Sequence, residues 1–312
     1  MPMHHSNYPG GFANGVTIRN MPVLSAYGGS VFWVHSGAAL AGNKGTFDRP
    51  CTTIDAAVSL CVASRGDIIV CKPGHAESIA NATTFQLDKA GIAVVGLGTG
   101  ALRPTFSFTN TAGSVEVDSA SCLLQNLRFV ADVSAVVVGI NVDANDCGIV
   151  GCEFDFVDTG DDFLIYVDCG DVDGTFIEGS RFIAEIADGS NEAIRMDNCD
   201  RTRIVGNYIY GDFALAAIYG DTTGDTGDGA NVSREILISG NNIFNADTVL
   251  GIAIDLNSAD LGVISYNNLG TAGPSTPGVS AALDPGSCRC IENYAVSAVD
   301  NCAVVVPQTA DT

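Results

Sequence analysis

Seven aspartates end the same short pattern, in which an apolar residue, any residue and a small or apolar residue precede the Asp. The pattern reads V-E-V-D at Asp118, I-N-V-D at Asp143, I-Y-V-D at Asp168, I-R-M-D at Asp197, I-Y-G-D at Asp221, I-A-I-D at Asp255 and A-A-L-D at Asp284. The intervals are 25, 25, 29, 24, 34 and 29 residues. Aligned and ionised carboxylates about 5 Å apart would repel by roughly 1 kcal/mol in water, and by several times that when desolvated. Such a column calls for bound calcium, a raised pKa, or Asp side chains that diverge and close turns on their own backbone. Turn chemistry alone accounts for Asp at these positions, and calcium or glycan chemistry stays open beside it. The same outward face carries Tyr166, Arg195 and Tyr219. Aromatics flanking an Arg and carboxylates suit a subunit contact, or a grip on a sugar chain. A second concentration of polar groups is R-G-D-I-I-V-C-K-P-G-H-A-E-S-I, from Arg65 to Ile79.

The elements that position these residues are legible as a repeat. An aliphatic residue, any residue, Gly or a substitute, Asn or a small residue, any residue and an apolar one recur as I-V-G-C-E-F (149–154), I-E-G-S-R-F (177–182), I-V-G-N-Y-I (204–209) and I-S-G-N-N-I (238–243). Looser copies start at Leu124, Ile264 and Cys290, so successive starts are 25, 28, 27, 34, 26 and 26 residues apart. Two columns keep step, each unit holds period-two apolar runs divided by Gly, Asn and Asp, and no long helical pattern intervenes. The reading is an all-β, single-stranded parallel β-helix of about nine coils over 46–306. Coils stacked at about 4.8 Å would make a rod on the order of 45 Å long. Asn207, Asn241, Asn267 and Asn293 share one slot, with Cys152 and Ser180 in their place in earlier coils, and are expected to form a structural ladder. The 34-residue unit carries its extra length in 220–229, a protruding loop.

Ahead of the coils, T-T-I-D-A-A-V-S-L-C-V-A-S-R (52–65) predicts a capping helix, started by Thr52 or Thr53 and stopped by Gly66. Ile68 and Val70 are expected to point inward, with His75 and Glu77 left to hold the arm. Residues 1–45 read as an extended, Gly-rich arm with one strand at 30–35, and 307–312 as a tail.

Composition limits the function classes. The 312 residues are 46% hydrophobic and only 16% charged, and 36 acidic against 14 basic residues give a net charge of −22. Nucleic acid and anionic membrane surfaces are therefore excluded as partners. No apolar run reaches membrane-span length, and the start lacks a secretory pattern, so assembly in a cytoplasm is expected. The eleven Cys then read as small buried hydrophobes. No C-x-x-C pair occurs, and G-L-G-T-G (96–100) is an incomplete nucleotide fingerprint, so no cofactor and no metal site is assigned.

The segment F-D-R-P-C-T-T-I-D-A-A followed by G-D-I-I-V-C-K-P-G-H-A-E-S-I (47–79) resembles the entry to the pectate-lyase-like superfamily of right-handed parallel β-helices. That resemblance implies the fold and leaves function open, since the superfamily includes enzymes and virion proteins. Its lyases pair calcium-binding carboxylates with an Arg or Lys base and its hydrolases cluster Asp with His. Here His75 is the only His in the repeat region, and no catalytic residue carries over. The run Y-P-G-G-F-A-N-G-V-T-I-R-N-M-P-V (8–23), V-F-W-V-H (31–35) and G-N-K-G-T-F-D-R-P (42–50) resembles the start of virion-associated proteins of tailed bacteriophages. This implies a capsid decoration (cement) protein in the virion, a homotrimer bound to the major capsid protein. A tailspike or fibre component that binds or cleaves host-surface polysaccharide is the alternative.

Overall fold

The computed structural model describes residues 16–18, 21–23, 29–38, 44–186, 189–220, 232–249, 251–256, 258, 260–272, 282–297 and 303–304. Most of the arm, the 221–231 segment with Asp221, and the tail lie outside the described residues.

Each repeat folds as one coil of a parallel β-solenoid, contributing one strand to each of three sheets. The first sheet runs from Val31–Val34 and Ile68–Cys71 to Arg289–Ile291, the second begins at Ala76–Ile79, and the third runs from Phe85–Gln86 to Leu283–Asp284. Eight coils cross all three sheets, and Arg289–Ile291 with Tyr294–Ser297 gives two strands of a ninth. Period-two alternation turns every second side chain inward, and parallel register stacks like on like. In the first sheet, Ile69, Val94, Leu124, Ile149, Ile177, Ile204, Ile238 and Ile264 form one fully buried column. In the second, Phe106, Phe129, Phe154 and Phe182 stack at 4.6–5.7 Å between ring centroids. That column then continues as Ile209, Ile243 and Leu269.

The Asn ladder forms as the repeat implies. Asn207, Asn241, Asn267 and Asn293 are buried, and each of the last three accepts from the backbone N–H of the Asn one coil before it, at 2.8–3.1 Å. Ser180 continues the ladder by accepting from the Cys152 amide and donating its own N–H to Asn207. Buried backbone groups at the sharp turn between the first and second sheets are thereby satisfied in every one of these coils.

Three local expectations are corrected. The helix is shorter than 52–65, covering Ile54–Leu60. Thr53 caps it by accepting from Ala56 N–H, and Cys61 is already extended, five residues before Gly66. At Ile68–Cys71 the core residues are Ile69 and Cys71 rather than Ile68 and Val70: all four residues are apolar, so alternation cannot choose the face, and Ile69 stacks on the inward Val94. Tyr166, expected on the surface, is 1% exposed. The long third-sheet strands bend at this point, so two consecutive residues face inward. The pairs are Gly139/Ile140, Tyr166/Val167, Ala193/Ile194, Ala217/Ile218 and Ala253/Ile254, the first member being small in every coil except that of Tyr166. The Tyr166 ring packs among Phe154, Phe163, Phe182 and Phe213, and its hydroxyl donates to Ile183 O at 3.0 Å.

Candidate functional site

At the entry to the solenoid, five polar residues of 65–79 fasten the arm and helix to the first coil. Buried Asp67 accepts from Ser30 N–H, Val62 N–H and both guanidinium donors of Arg65, all at 2.7 Å. Burial alone would raise its pKa, but these hydrogen bonds outweigh it and the net shift is downward. His75 Nδ1 accepts from Ser36 N–H at 3.0 Å, and its Nε2 lies 3.3 Å from Glu77. Glu77 in turn accepts from Ile54 N–H at the start of the helix. Lys72 donates to Phe47 O and sits 3.8 Å from that ring's centroid. The polar contact expected between His75 and the arm is present.

The outward face of the third sheet carries the aspartates of the repeat, and their alignment differs from the sequence pattern. Parallel pairing puts Glu116, Asn141, Asp168, Arg195, Tyr219, Asp255 and Asp284 in one slot. Asp118, Asp143 and Asp197 belong to a second slot two residues on, where Gly170 takes the place of an Asp. The six described members of the column therefore fall into two shorter ones, Asp221 lying outside the described residues. A slip of two residues leaves every inward and outward assignment intact, so apolar patterning could not register it.

Within the first slot the charges are compensated unevenly. Arg195 Nε donates to Asp168 Oδ1 at 2.8 Å and Nη2 to Oδ2, a two-pronged pair across adjacent coils. Asn141 Nδ2 donates to Glu116 and to Asp143, each at 2.9 Å, and Gln86 donates to Asp118. Glu116, Asp118 and Asp143 bring one oxygen each within 4.8 Å of one another, a spacing a divalent cation could bridge. Burial pushes the Asp143 carboxyl up, with the Asp118 and Asp168 charges adding to it against the Asn141 hydrogen bond. Beside this group lies a depression of about 370 Å³ lined by Thr111, Ser114, Glu116, Val137, Asn141 and Asp168. Asp255 has a like charge for its neighbour; burial and the adjacent Asp284 push its pKa to about 6.

Of the three residues singled out from sequence, Arg195 and Tyr219 are neighbours on this face, and Tyr166 is in the core. Sequence reasoning missed Glu116 and Asn141 as slot partners of Asp168, although both stand two residues before a recognised Asp. Chemically, the face can hold a cation or a polar chain. Arg195 is a poor base, because a guanidinium hardly loses a proton and the Asp168 carboxylate favours its charged form further.

No protein-family model matches the chain, and no curated protein matches it. Among solved structures it is similar to pectate lyase Pel9A, at 12% identity and a TM-score of 0.46, over 86% of this chain and 77% of that one. It is also similar to the pectin methylesterase of Aspergillus niger, at 16% identity and 0.48, over 89% and 88%. ORF18 of Geobacillus virus E2 is similar at 14% identity and 0.42, and this chain spans 61% of its length with 85% of its own. Likenesses of this degree assign neither an activity nor a site residue.

Proposed function

We propose that the chain is a structural protein of a tailed-bacteriophage particle: a solenoid rod, assembled in the host cytoplasm, that decorates the capsid as a trimer and stabilises it through contacts with the major capsid protein. The observation that carries this reading is the way outward charge is used. Arg103 and Arg181 close on Glu153, Arg128 on Asp155, Arg195 on Asp168, Arg201 on Asp173 and Arg203 on Glu178, each partner lying on another coil. Groups that tie coil to coil serve a scaffold, whereas a reactive site needs its acids and bases turned toward a substrate. The bacteriophage assignment itself draws on the N-terminal resemblance. In this reading the subunit contact centres on Arg195 and Tyr219, neighbours on the outward face of the third sheet. Purified protein should saturate decoration-free capsids in multiples of three and raise their melting temperature. A monomer that leaves capsid melting unchanged contradicts the reading.

A hydrolytic tailspike is the second reading, favoured by one observation. Asp255 and Asp284 are adjacent carboxylates, one of them titrating near 6, which suits an acid and base pair for glycoside cleavage. Release of reducing sugar from bacterial polysaccharide, abolished by Asp255→Asn, would replace the scaffold reading with this one.

A further inference from the structure

The outward face of the second sheet changes character along the rod. In coils three to five its two columns carry Arg128, Glu153 and Arg181, and Val130, Asp155 and Ile183. In coils six to nine the same columns carry no charge. One column reads Tyr208, Asn242, Asn268 and Tyr294, the other Tyr210, Phe244 and Gly270. Tyr208, Phe244 and Tyr294 are 42%, 37% and 55% exposed. Tyr210 and Phe244 stack with centroids 5.6 Å apart and planes 19° from parallel. The Phe244 ring leans over Gly270, where a Cβ would come within 2.6 Å of its Cδ2, so the absence of a side chain there lets the ring lie down on the sheet. Asn268 donates to Asn242 at 3.1 Å, and both amides are exposed.

We propose that this strip is a binding platform for a neutral glycan strand laid along the solenoid axis. The chemistry matches point by point. Sugar C–H faces carry slight positive charge and settle on the negative faces of aromatic rings, while hydroxyls pair with amides and phenols. Coils repeat at about 4.8 Å, close to the length of one pyranose along a chain, so three intervals from Tyr208 to Tyr294 hold a segment of three or four sugars. The net charge of −22 disfavours an acidic polysaccharide, and an uncharged strip suits a neutral one. Size argues against a second copy of the chain: two residue columns over four coils offer well under the roughly 800 Å² per partner of a stable protein contact. The strip lies on a different sheet from the Asp168 slot, and the proposal does not rest on the particle reading.

Native affinity electrophoresis of the intact protein in gels containing galactomannan, dextran or amylose, with polygalacturonate as the acidic control, tests it. At least one neutral polymer should retard the protein, and polygalacturonate should not. Tyr208→Ala/Tyr294→Ala should weaken the interaction at least tenfold with the unfolding curve unchanged, since both rings are surface groups. Asn268→Leu should weaken it through loss of the amide's hydrogen bonds to sugar hydroxyls. Retardation by no neutral polymer, or equal retardation of the double variant, overturns the proposal. So does sedimentation showing that the double variant dissociates an oligomer of the wild-type chain, which would make the strip a contact between copies.

Discussion

Asp67 and Asp255 are aspartates placed in opposite electrostatic settings. Asp67, in the first coil, gathers two backbone amides and a guanidinium, and its pKa falls. Asp255, in the seventh, stacks beside Asp284, and its pKa rises to about 6. One carboxylate therefore stabilises the fold at neutral pH and the other opposes it. The difference shows where the solenoid is fastened: the entry, with its arm and helix, is held by a charge that is fully paired, while the distal coils keep an acidic face at a cost in stability.

Removing the favourable member should have the largest effect. Asp67→Ala leaves Arg65 and the Ser30 and Val62 amides without their acceptor, and should cost about 3 kcal/mol in urea unfolding. Hydrogen exchange at Ser30 and Val62 should accelerate with it. Because the folded pKa of Asp67 is depressed, its contribution is complete above about pH 4 and is lost as pH falls through the folded value, so the variant and wild type should converge in acid. An unchanged midpoint at pH 7 would show that the arm is held by something else.

Arg195→Gln tests whether pairing decides the contrast. It leaves the Asp168 carboxylate without its guanidinium and should cost about 1 kcal/mol in urea unfolding, since the pair is partly solvated. An unchanged unfolding midpoint would mean that this pair, two-pronged as it is, does not help hold adjacent coils together.

The smallest effect has the opposite sign. Asp255→Asn should stabilise the protein by about 1 kcal/mol at pH 7.5, after allowance for partial exposure. With the folded pKa raised from 3.8 to about 6, the penalty is full above pH 6, shrinks as pH falls and vanishes below about 4. Destabilisation at pH 7.5 would show that the carboxylate has a partner it needs, such as a cation.

The fold was legible because its inward columns are chemically uniform: aliphatic residues at Ile149, Ile177 and Ile204, and amides at Asn207, Asn241 and Asn267, recur at coil spacing. The candidate site was only half legible. A two-residue slip between neighbouring strands conserves the alternation on which the reading depends, so Asp168 was matched with Asp143 when it faces Asn141 and Arg195. The bend that turns both Tyr166 and Val167 inward breaks alternation outright, and nothing in I-Y-V-D signals it. The outward column of Tyr208, Asn242, Asn268 and Tyr294 stood in plain view, directly after the ladder Asn of each repeat. That position tolerates any residue as far as the fold is concerned, and for that reason its content reports on what the surface meets.

Counting copies of this chain in purified virions by quantitative mass spectrometry against the major capsid protein tests the scaffold reading most directly. The account predicts hundreds of copies, in a whole-number ratio to capsid subunits and a multiple of three per particle. A handful of copies, or none, would contradict it and move the protein to the tail or out of the particle.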